Sequence, residues 1–139
     1  MNKFCALLLV AALAASCHSS QTVKINGKLL GVSGQSVYLE KVTPSSKTIV
    51  DSTTTDKKGG FSFSVALEDK NPTFYNVATR KGSAPLLLAP GERVALTSVG
   101  DKLRHYTIEG SVGSAEVKEV NAILKQGIAS LDSLSNLYT

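Results

Sequence analysis

The chain has 139 residues, with 15 Lys and Arg against 11 Asp and Glu and a formal net charge of +4 at pH 7. That length suits one domain, and a mild, dispersed positive charge does not indicate nucleic-acid binding. Two cysteines are too few for a disulfide scaffold or a four-cysteine zinc site, and two histidines are too few for a histidine-rich metal site. We therefore expect no metal and no cofactor.

Residues 1–16 have the pattern of a bacterial secretion signal. Lys3 supplies the positive charge, and the eleven apolar residues from Cys5 to Ala15 are too few to span a bilayer. Small residues then precede Cys17, as in a lipobox, in which the cysteine thiol accepts a diacylglycerol before cleavage. The sequence therefore predicts lipid attachment at Cys17, and ordinary cleavage that leaves a free thiol is the alternative.

The predicted lipidation has consequences for redox chemistry and location. Cys5 leaves with the signal and Cys17 is alkylated, so the mature chain has no thiol for a disulfide or for redox catalysis. Residues 17–21 form a short polar tether that contains no acidic residue. By resemblance to lipoprotein sorting rules, this pattern predicts a lipid-anchored protein of the cell envelope that faces the periplasm, at the outer membrane rather than the inner one.

Short segments with alternating apolar and polar residues, separated by turn residues, fill the sequence from Thr22 to Gly110. They predict β-strands, because successive side chains of a strand point to opposite faces. The spacing predicts an antiparallel β-sandwich or barrel-like domain of seven or eight short strands over residues 22–110. The main predicted core positions are Val23, Ile25, Leu29, Val37, Leu39, Phe61, Phe63, Val65, Leu67, Val94, Leu96, Tyr106 and Ile108, and Leu86 to Leu88 form a run expected to be buried on both faces.

Residues 111–139 predict one amphipathic helix, because their apolar residues recur at spacings of three, four and seven. Ser114 is the expected N-cap, with Glu116 in the first turn. The helix should pack on the sandwich as far as Leu124, whereas the part beyond Gly127 needs a neighbour, such as a second copy or a following domain. We interpret it as a spacer to a downstream domain. The apolar residues at these spacings are Val117, Val120, Leu124, Leu131, Leu134 and Tyr138.

An ordered set of short motifs lies within the predicted strands. With the lipobox in front, the set resembles domain of unknown function 4369, a lipid-anchored N-terminal β-domain of Bacteroidetes lipoproteins, over residues 22–125. The motifs are Gly27-Lys28-Leu29, Gly34 to Leu39, Asp51-Ser52-Thr53, Lys58 to Phe63, Phe74 to Val77, Pro90 to Leu96 and Ile108 to Ser111.

The resemblance implies a role beside a redox domain. In that family the domain usually precedes a thioredoxin-like domain of the peroxiredoxin or thiol–disulfide oxidoreductase type. This sequence has no Cys-x-x-Cys motif and no cysteine after Cys17, so the implied redox activity does not belong to these residues. We expect a non-catalytic, membrane-tethered domain that positions such a redox domain. The alternative is a stand-alone binding module for peptide or glycan, which uses an exposed sheet edge or face.

Few residues are candidates for a functional site. His105, between Arg104 and Tyr106, could contact a ligand, but a water-facing strand side chain is the favoured interpretation. Several carboxylates fall on turns or solvent-facing positions, where nothing pairs them for glycosidase-type catalysis. These carboxylates are Glu40, Asp51, Asp56 and Glu68.

The remaining motifs are interpreted as structural. The segment Ser111-Val112-Gly113-Ser114 lacks the order of a nucleophile elbow, and we interpret it as a helix start. No helix follows Gly59-Gly60 to form a phosphate site. Lys57-Lys58 and Arg80-Lys81 are expected to be solvated loop tips. We therefore predict no catalytic residue.

Overall fold

A computed structural model describes residues 21–138 of the chain. Eight β-strands precede one long helix, so the predicted mainly β fold with a C-terminal helix is confirmed. The predicted signal sequence, Cys17 and most of the polar tether lie outside the described residues. The elements are β1 Thr22–Leu30, β2 Ser36–Val42, β3 Lys47–Thr54, β4 Gly60–Ala66, β5 Thr73–Ala78, β6 Ser83–Leu88, β7 Arg93–Val99, β8 Tyr106–Glu109 and α1 Val112–Leu137.

The strands form two four-stranded sheets, with the orders β4-β1-β7-β8 and β3-β2-β5-β6. The sandwich is therefore confirmed over the barrel-like alternative. Within residues 21–138, neighbouring strands are antiparallel except β1 and β7, which run parallel with Ile25 opposite Val94. A parallel pair needs a long crossover, and the chain supplies one by passing through the second sheet before β7 returns beside β1.

The core lies between the two sheets and follows the predicted alternation. Val23, Ile25 and Leu29 of β1 are fully buried, whereas the intervening Lys24 is exposed. The same period of two places Phe61 and Phe63 of β4 inside and the serines between and after them outside. The other buried apolar residues of this core are Val37, Leu39, Leu67, Tyr75, Val77, Ala84, Leu86, Leu88, Val94, Leu96, Leu103 and Tyr106.

Gly27 occupies an inward position of β1, directly opposite Phe61 of β4. A methyl group on Gly27 would overlap the end of the Phe61 ring, so the glycine leaves the space that the ring fills. The Phe61 ring also meets the edge of the Phe63 ring, with 5.8 Å between the centroids and 62° between the planes. The glycine is therefore part of the core packing.

One edge of the second sheet, strand β3, is almost wholly exposed. The register between β2 and β3 shifts between Leu39 and Glu40, so Val50 is the extra residue of a β-bulge. Ile49 and Val50 are both exposed at this edge. Because a bulge bends the strand, it makes the edge a poorer template for pairing with another chain.

The other edge of the second sheet, strand β6, is closed by the start of the helix. The Leu87 N–H donates to the Ser114 Oγ at 3.1 Å, and the Leu87 carbonyl oxygen lies 3.1 Å from the hydroxyl oxygens of both Ser111 and Ser114. The two hydroxyl oxygens are 2.8 Å apart. We call this arrangement of Ser111, Ser114 and Leu87 the serine clamp. It satisfies backbone groups that an edge strand would otherwise present to water.

Within the Leu86 to Leu88 run, one residue beside the serine clamp has a different environment from the predicted one. Leu86 and Leu88 are fully buried in the core, as expected. Leu87 points away from the core and is half-buried by Gly113 and its neighbours at the start of the helix. The expectation that the Leu86 to Leu88 run is buried on both faces is therefore wrong at Leu87, because β6 is an edge strand and its outward face is only partly covered.

The N-cap lies one turn earlier than predicted, at Ser111 rather than Ser114, and the helix begins at Val112. Ser111 has extended backbone angles, and its hydroxyl oxygen accepts the Ser114 N–H at 3.2 Å, as an N-cap does. Ser114 lies inside the first turn and is fully buried. Glu116 consequently falls beyond the first turn, which contains no acidic residue. Both serines suit an N-cap by residue type, and the extended backbone of Ser111 together with the hydrogen bond from the Ser114 N–H identifies Ser111 as the cap.

The helix packs on the sandwich through a different face from the predicted one. Its partly or fully buried positions are Gly113, Ser114, Val117, Lys118 and Asn121, and every residue from Ala122 to Tyr138 is exposed. The expected packing as far as Leu124 is therefore confirmed at Val117, which is partly buried, and wrong at Val120 and Leu124, which are exposed. The hydrogen bonds of the serine clamp to Leu87 hold the helix in this rotation. The uncovered apolar residues, here called the apolar stripe, are Val120, Ile123, Leu124, Ile128, Leu131 and Leu134, each 52–67% exposed.

We expect Gly27→Ala and Phe61→Ala to destabilise the domain singly and to be less than additive together. Phe61→Ala leaves a cavity and should cost about 3–5 kcal/mol, whereas Gly27→Ala forces a methyl group into the ring. Without the ring, that methyl group has room. Urea unfolding of both single variants and the double variant measures the coupling free energy. The exposed Ser62→Ala is the control, and additive losses would contradict the packing described.

We expect Ser114→Ala to lower the free energy of unfolding by about 1–3 kcal/mol, because the Leu87 N–H loses its hydrogen-bond acceptor. Ser130→Ala is the matched control in the same helix. Its hydroxyl donates only to the Gln126 carbonyl at an exposed position, so its loss should have little effect. Chemical denaturation followed by circular dichroism makes the comparison. Equal effects of the two substitutions would show that the serine clamp does not hold the helix.

Candidate functional site

A groove of about 840 Å³ lies between the helix and one end of the sandwich. Lys118, Asn121 and Lys125 of α1 line the helical side. These positions follow a spacing of three and four, so they share one face of the helix. On the sandwich side, apolar surface comes from Leu30 and from residues of β6 and β7. The groove therefore has a basic, polar helical wall and a sandwich wall that combines apolar surface with the positive charge of Arg104.

The turn between β7 and β8 shapes the sandwich wall. Leu103 lies in this turn with φ of 51°, a left-handed conformation that is uncommon for a residue with a branched side chain, and its side chain is buried in the core. The turn is tied to the β5–β6 turn by a Lys81–Asp101 ion pair at 3.1 Å and by the Thr79 hydroxyl, which donates to the Asp101 carbonyl oxygen at 2.5 Å. Burial and these ties hold the strained residue in place.

Those contacts also revise the prediction for Arg80-Lys81. Lys81 is exposed, as expected for a loop tip, but its Nζ pairs with the Asp101 carboxylate, which is itself largely buried. The pair connects a turn of the second sheet to a turn of the first. Because Lys81 remains exposed, the pair contributes little free energy by itself. The pair leaves the Asp101 carboxylate bound to Lys81 and outside the lining of the groove.

Tyr106, the first residue of β8, lines the groove between its two walls. The Lys118 Nζ lies over the Tyr106 ring, 5.5 Å from the centroid, in a cation–π contact. Burial raises the pKa of the Tyr106 hydroxyl above its usual value of 10.0, so the ring stays neutral at physiological pH. The contact therefore holds the Lys118 cation at the groove and does not neutralise it.

The charge of the groove has one sign. Arg104, Lys118 and Lys125 carry positive charges along its lining, and the imidazole of His105 lies beside them. Among the described residues that line the groove there is no Asp or Glu. An anionic ligand would therefore meet attractive charges on both walls.

His105 is exposed, which confirms that its side chain faces water. The expectation that it lies in a strand is wrong, because it precedes β8 in the turn that contains Leu103, and it lines the groove. Its backbone carbonyl accepts the Ser98 hydroxyl at 3.3 Å. The structure thus brings Arg104 and His105 opposite two helical lysines that the sequence did not connect with them. The only signal in the sequence was the spacing of Lys118 and Lys125 on one helical face.

Each of the four candidate carboxylates has its own hydrogen-bond partner, and none of these partners is another carboxylate of the set. Glu68 accepts from the Lys41 Nζ at 2.7 Å, and the Glu40 carboxylate lies 3.4 Å from the Asn76 amide nitrogen. An oxygen of Asp51 accepts the next backbone N–H, that of Ser52, at 2.8 Å. These contacts fit the expectation that the carboxylates lie on turns and strand faces and are not paired with one another for catalysis.

The fourth carboxylate, Asp56, organises the turn before β4. One of its oxygens accepts the backbone N–H groups of Lys58 and Gly60, each at 2.8 Å. These hydrogen bonds favour the charged form and lower the pKa of Asp56 below its usual value of 3.8. The backbone donors that a phosphate would need at Gly59-Gly60 are thus already occupied, the Gly60 N–H by the Asp56 carboxylate and the Gly59 N–H by the Asp56 backbone carbonyl oxygen.

The described part of the chain contains few other features of a chemical site. Across residues 21–138, no cluster of three or more His, Cys, Asp and Glu side chains could bind a metal ion. Every buried side-chain nitrogen and oxygen in the same range has a hydrogen-bond partner. The hydroxyls of Ser111 and Ser114 serve the clamp. Cys17, the predicted lipid attachment site, lies outside the described residues.

No helix between residues 21 and 138 combines the length and the apolar character needed to cross a bilayer.

The family is identified by the β-domain. No curated protein and no solved structure matches the chain. The family model for a domain of unknown function, DUF4369, matches residues 23–117, which include β2 to β8, nearly all of β1 and the first turn of α1. The match confirms the resemblance inferred from the ordered motifs, and its description names no reaction. Because it covers more than half of the sequence, the chain belongs to the DUF4369 family.

Proposed function

We propose that this chain is a non-catalytic N-terminal domain of an envelope lipoprotein, tethered to the membrane through Cys17, which positions a thioredoxin-like thiol–disulfide oxidoreductase domain. The observation that carries the proposal is the uncovered apolar stripe of α1. The lipobox pattern supports the tether, and the family resemblance supports the redox partner. The proposed location is the periplasmic face of the envelope, at the outer membrane rather than the inner one.

The proposed anchor lies close to the folded domain in the sequence. Thr22, where β1 begins, follows Cys17 by five residues, and five extended residues span at most about 17 Å. A lipidated Cys17 would thus keep the sandwich near the bilayer surface. Several acyl chains together hold a protein firmly, since each buried CH₂ contributes about 0.8 kcal/mol.

The helix provides the proposed connection to the redox domain. Beyond its last contact with the sandwich, residues 122–137 extend about 24 Å at 1.5 Å per residue. The side chains of the apolar stripe are exposed along this length, and each would contribute about 1.5–3 kcal/mol if a neighbour buried it fully. A domain attached directly after the helix would be present at a high effective concentration. A second copy of the chain is the competing occupant.

Thiol chemistry is assigned to the attached domain. Cysteine occurs in this sequence only at positions 5 and 17, and the proposed processing removes the first and alkylates the second. Without a thiolate, the mature domain has no nucleophile for disulfide exchange or peroxide reduction. The open reading frame beyond Thr139 provides a direct test, since a Cys-x-x-Cys motif or a peroxidatic cysteine there is expected.

A binding module for peptide or glycan is a second candidate, and the basic groove favours it. The groove combines apolar surface, polar side chains and charges of one sign, which are features of ligand-binding clefts. This role is compatible with a membrane tether, and it differs from the first in that the chain itself would contact a ligand. A downstream reading frame without a redox motif would favour it over the spacer role.

We expect Cys17→Ala to release the protein from the membrane fraction and to leave the signal uncleaved. Without the thiol there is no atom to accept the diacylglycerol, and lipobox cleavage requires that modification. Cell fractionation and intact-mass measurement test both effects. Cys5→Ala is the matched control, because it changes a cysteine inside the predicted signal and should leave lipidation intact. A Cys17→Ala protein that is still acylated would refute the tether.

We expect the backbone amides of residues 131–137 to exchange hydrogen much faster than those of residues 114–121 when the chain is monomeric. The first turns are held by the serine clamp, whereas the side chains of the later turns are exposed. Amide hydrogen exchange at low concentration, with the mass in solution measured in parallel, tests this. Strong protection throughout residues 131–137 in a demonstrated monomer would contradict the need for a neighbour.

A further inference from the structure

We infer that the groove between α1 and the sandwich is a docking site for an acidic, partly apolar peptide in extended conformation. This inference rests on the binding-module candidate above and not on the lipid tether or the redox partner. It names the ligand class that the lining of the groove would recognise.

The first argument is the uncompensated charge of the lining. Arg104 and Lys125 are exposed, and the Lys118 Nζ sits over a neutral ring. No Asp or Glu is among the groove-lining residues, and the nearby Asp101 carboxylate is paired with Lys81 at 3.1 Å. The cations therefore have no carboxylate partner in the lining of the groove, and the carboxylates of a ligand would provide such partners.

The second argument is the spacing of those cations. Lys118 and Lys125 are seven residues apart on one helical face, which separates them by about 10.5 Å along the axis. An extended peptide advances about 3.3 Å per residue, so carboxylates two to four residues apart fall at about this scale. A single lipid headgroup or phosphate would reach one such cation at a time. The spacing thus favours a chain with several separate carboxylates.

The third argument is the division of the groove into two kinds of wall. The sandwich side carries Leu30 and Val99, which are 40% and 75% exposed, and Pro85 lies near them in the lining. The helical side carries the two lysines and Asn121. Successive side chains of an extended peptide point in opposite directions. A peptide that alternates acidic and apolar residues can therefore place carboxylates against the helical lysines and apolar groups against Leu30 and Val99. Arg104, at the sandwich side, would attract a further carboxylate.

The sandwich wall is also rigid before any ligand arrives. Leu103 anchors the turn in the core, and the Thr79 and Lys81 contacts with Asp101 tie it to a second turn. A wall that is already ordered loses little conformational entropy when a ligand binds. The geometry therefore needs no rearrangement of the turn to accept a peptide.

The test uses the full chain in a neutral detergent and a fluorescein-labelled peptide of alternating Glu and Val. Fluorescence anisotropy at low ionic strength measures the Kd. We expect Arg104→Gln combined with Lys125→Gln to weaken binding by about tenfold, because two exposed charge pairs are lost. The control is Lys57→Gln combined with Lys58→Gln, the same charge change in a turn that does not line the groove, which should alter the Kd by less than about twofold.

A second peptide, with Gln in place of each Glu, separates charge recognition from apolar binding. It should bind about tenfold more weakly than the acidic peptide. Equal binding of the two peptides, or equal effects of the two double variants, would overturn the inference and leave the binding-module candidate intact. Binding of neither peptide nor any neutral oligosaccharide would count against that candidate itself.

Vesicles that contain phosphatidylglycerol provide the lipid comparison. If the groove accepts peptide, the Arg104→Gln, Lys125→Gln variant should lose peptide binding, and the acidic peptide should compete with any vesicle binding that depends on these residues. Loss of vesicle binding in the same variant without loss of peptide binding would assign the groove to an anionic membrane surface and overturn the peptide assignment. Circular dichroism of each variant confirms that the fold is retained.

Discussion

The hydrogen bonds between two serine hydroxyls and the edge of β6 determine how the helix meets the sandwich. Ser111 and Ser114 reach the Leu87 backbone at 3.1 Å, and Ser111 also caps the helix. Together these contacts set where the helix begins, which face it presents to the sandwich and the direction in which it leaves. The groove and the exposed stripe are both consequences of this one junction.

The junction gives the two sides of the helix different chemistry. The side near the sandwich carries Lys118, Asn121 and Lys125, which line the groove. Hydrophobic side chains lie on another side, where they remain exposed. An amphipathic helix ordinarily buries its apolar face against its own domain. Here a polar contact at the first turn takes precedence over that preference, which leaves the apolar face available to another protein surface.

Most of the strands of the sandwich could be predicted, because the residue pattern of each strand lies within its own short segment of the sequence. A period of two identified the inward residues of β1, β2 and β4, and the turn residues separated the strands. The parallel pairing of β1 with β7 could not be predicted, since period and turns carry no information on which distant strands become neighbours. Lipid attachment at Cys17 concerns a residue outside the described part of the chain, and it stands as a proposal. The redox role concerns a separate domain, and it is likewise a proposal.

The helix and the groove show where sequence reasoning fails for physical reasons. The spacing of apolar residues gave the helix correctly, but the rotation of that helix depends on hydrogen bonds to Leu87, a residue far away in the sequence. The groove draws on β1, β6, the β7–β8 turn and α1, so no single segment carries its pattern. His105 carries no distinctive signal in its own segment, and it acquires its significance from lysines on another element.

The position of β1 in its sheet has a mechanical consequence. This first strand lies between β4 and β7, with a full ladder of hydrogen bonds on either side. A pull along the strand from its start would load both ladders in shear, so many bonds must yield together rather than one after another. By contrast, β3 lies at an edge and could be peeled away bond by bond. The domain is thus built to resist tension at the end from which the proposed anchor would hold it.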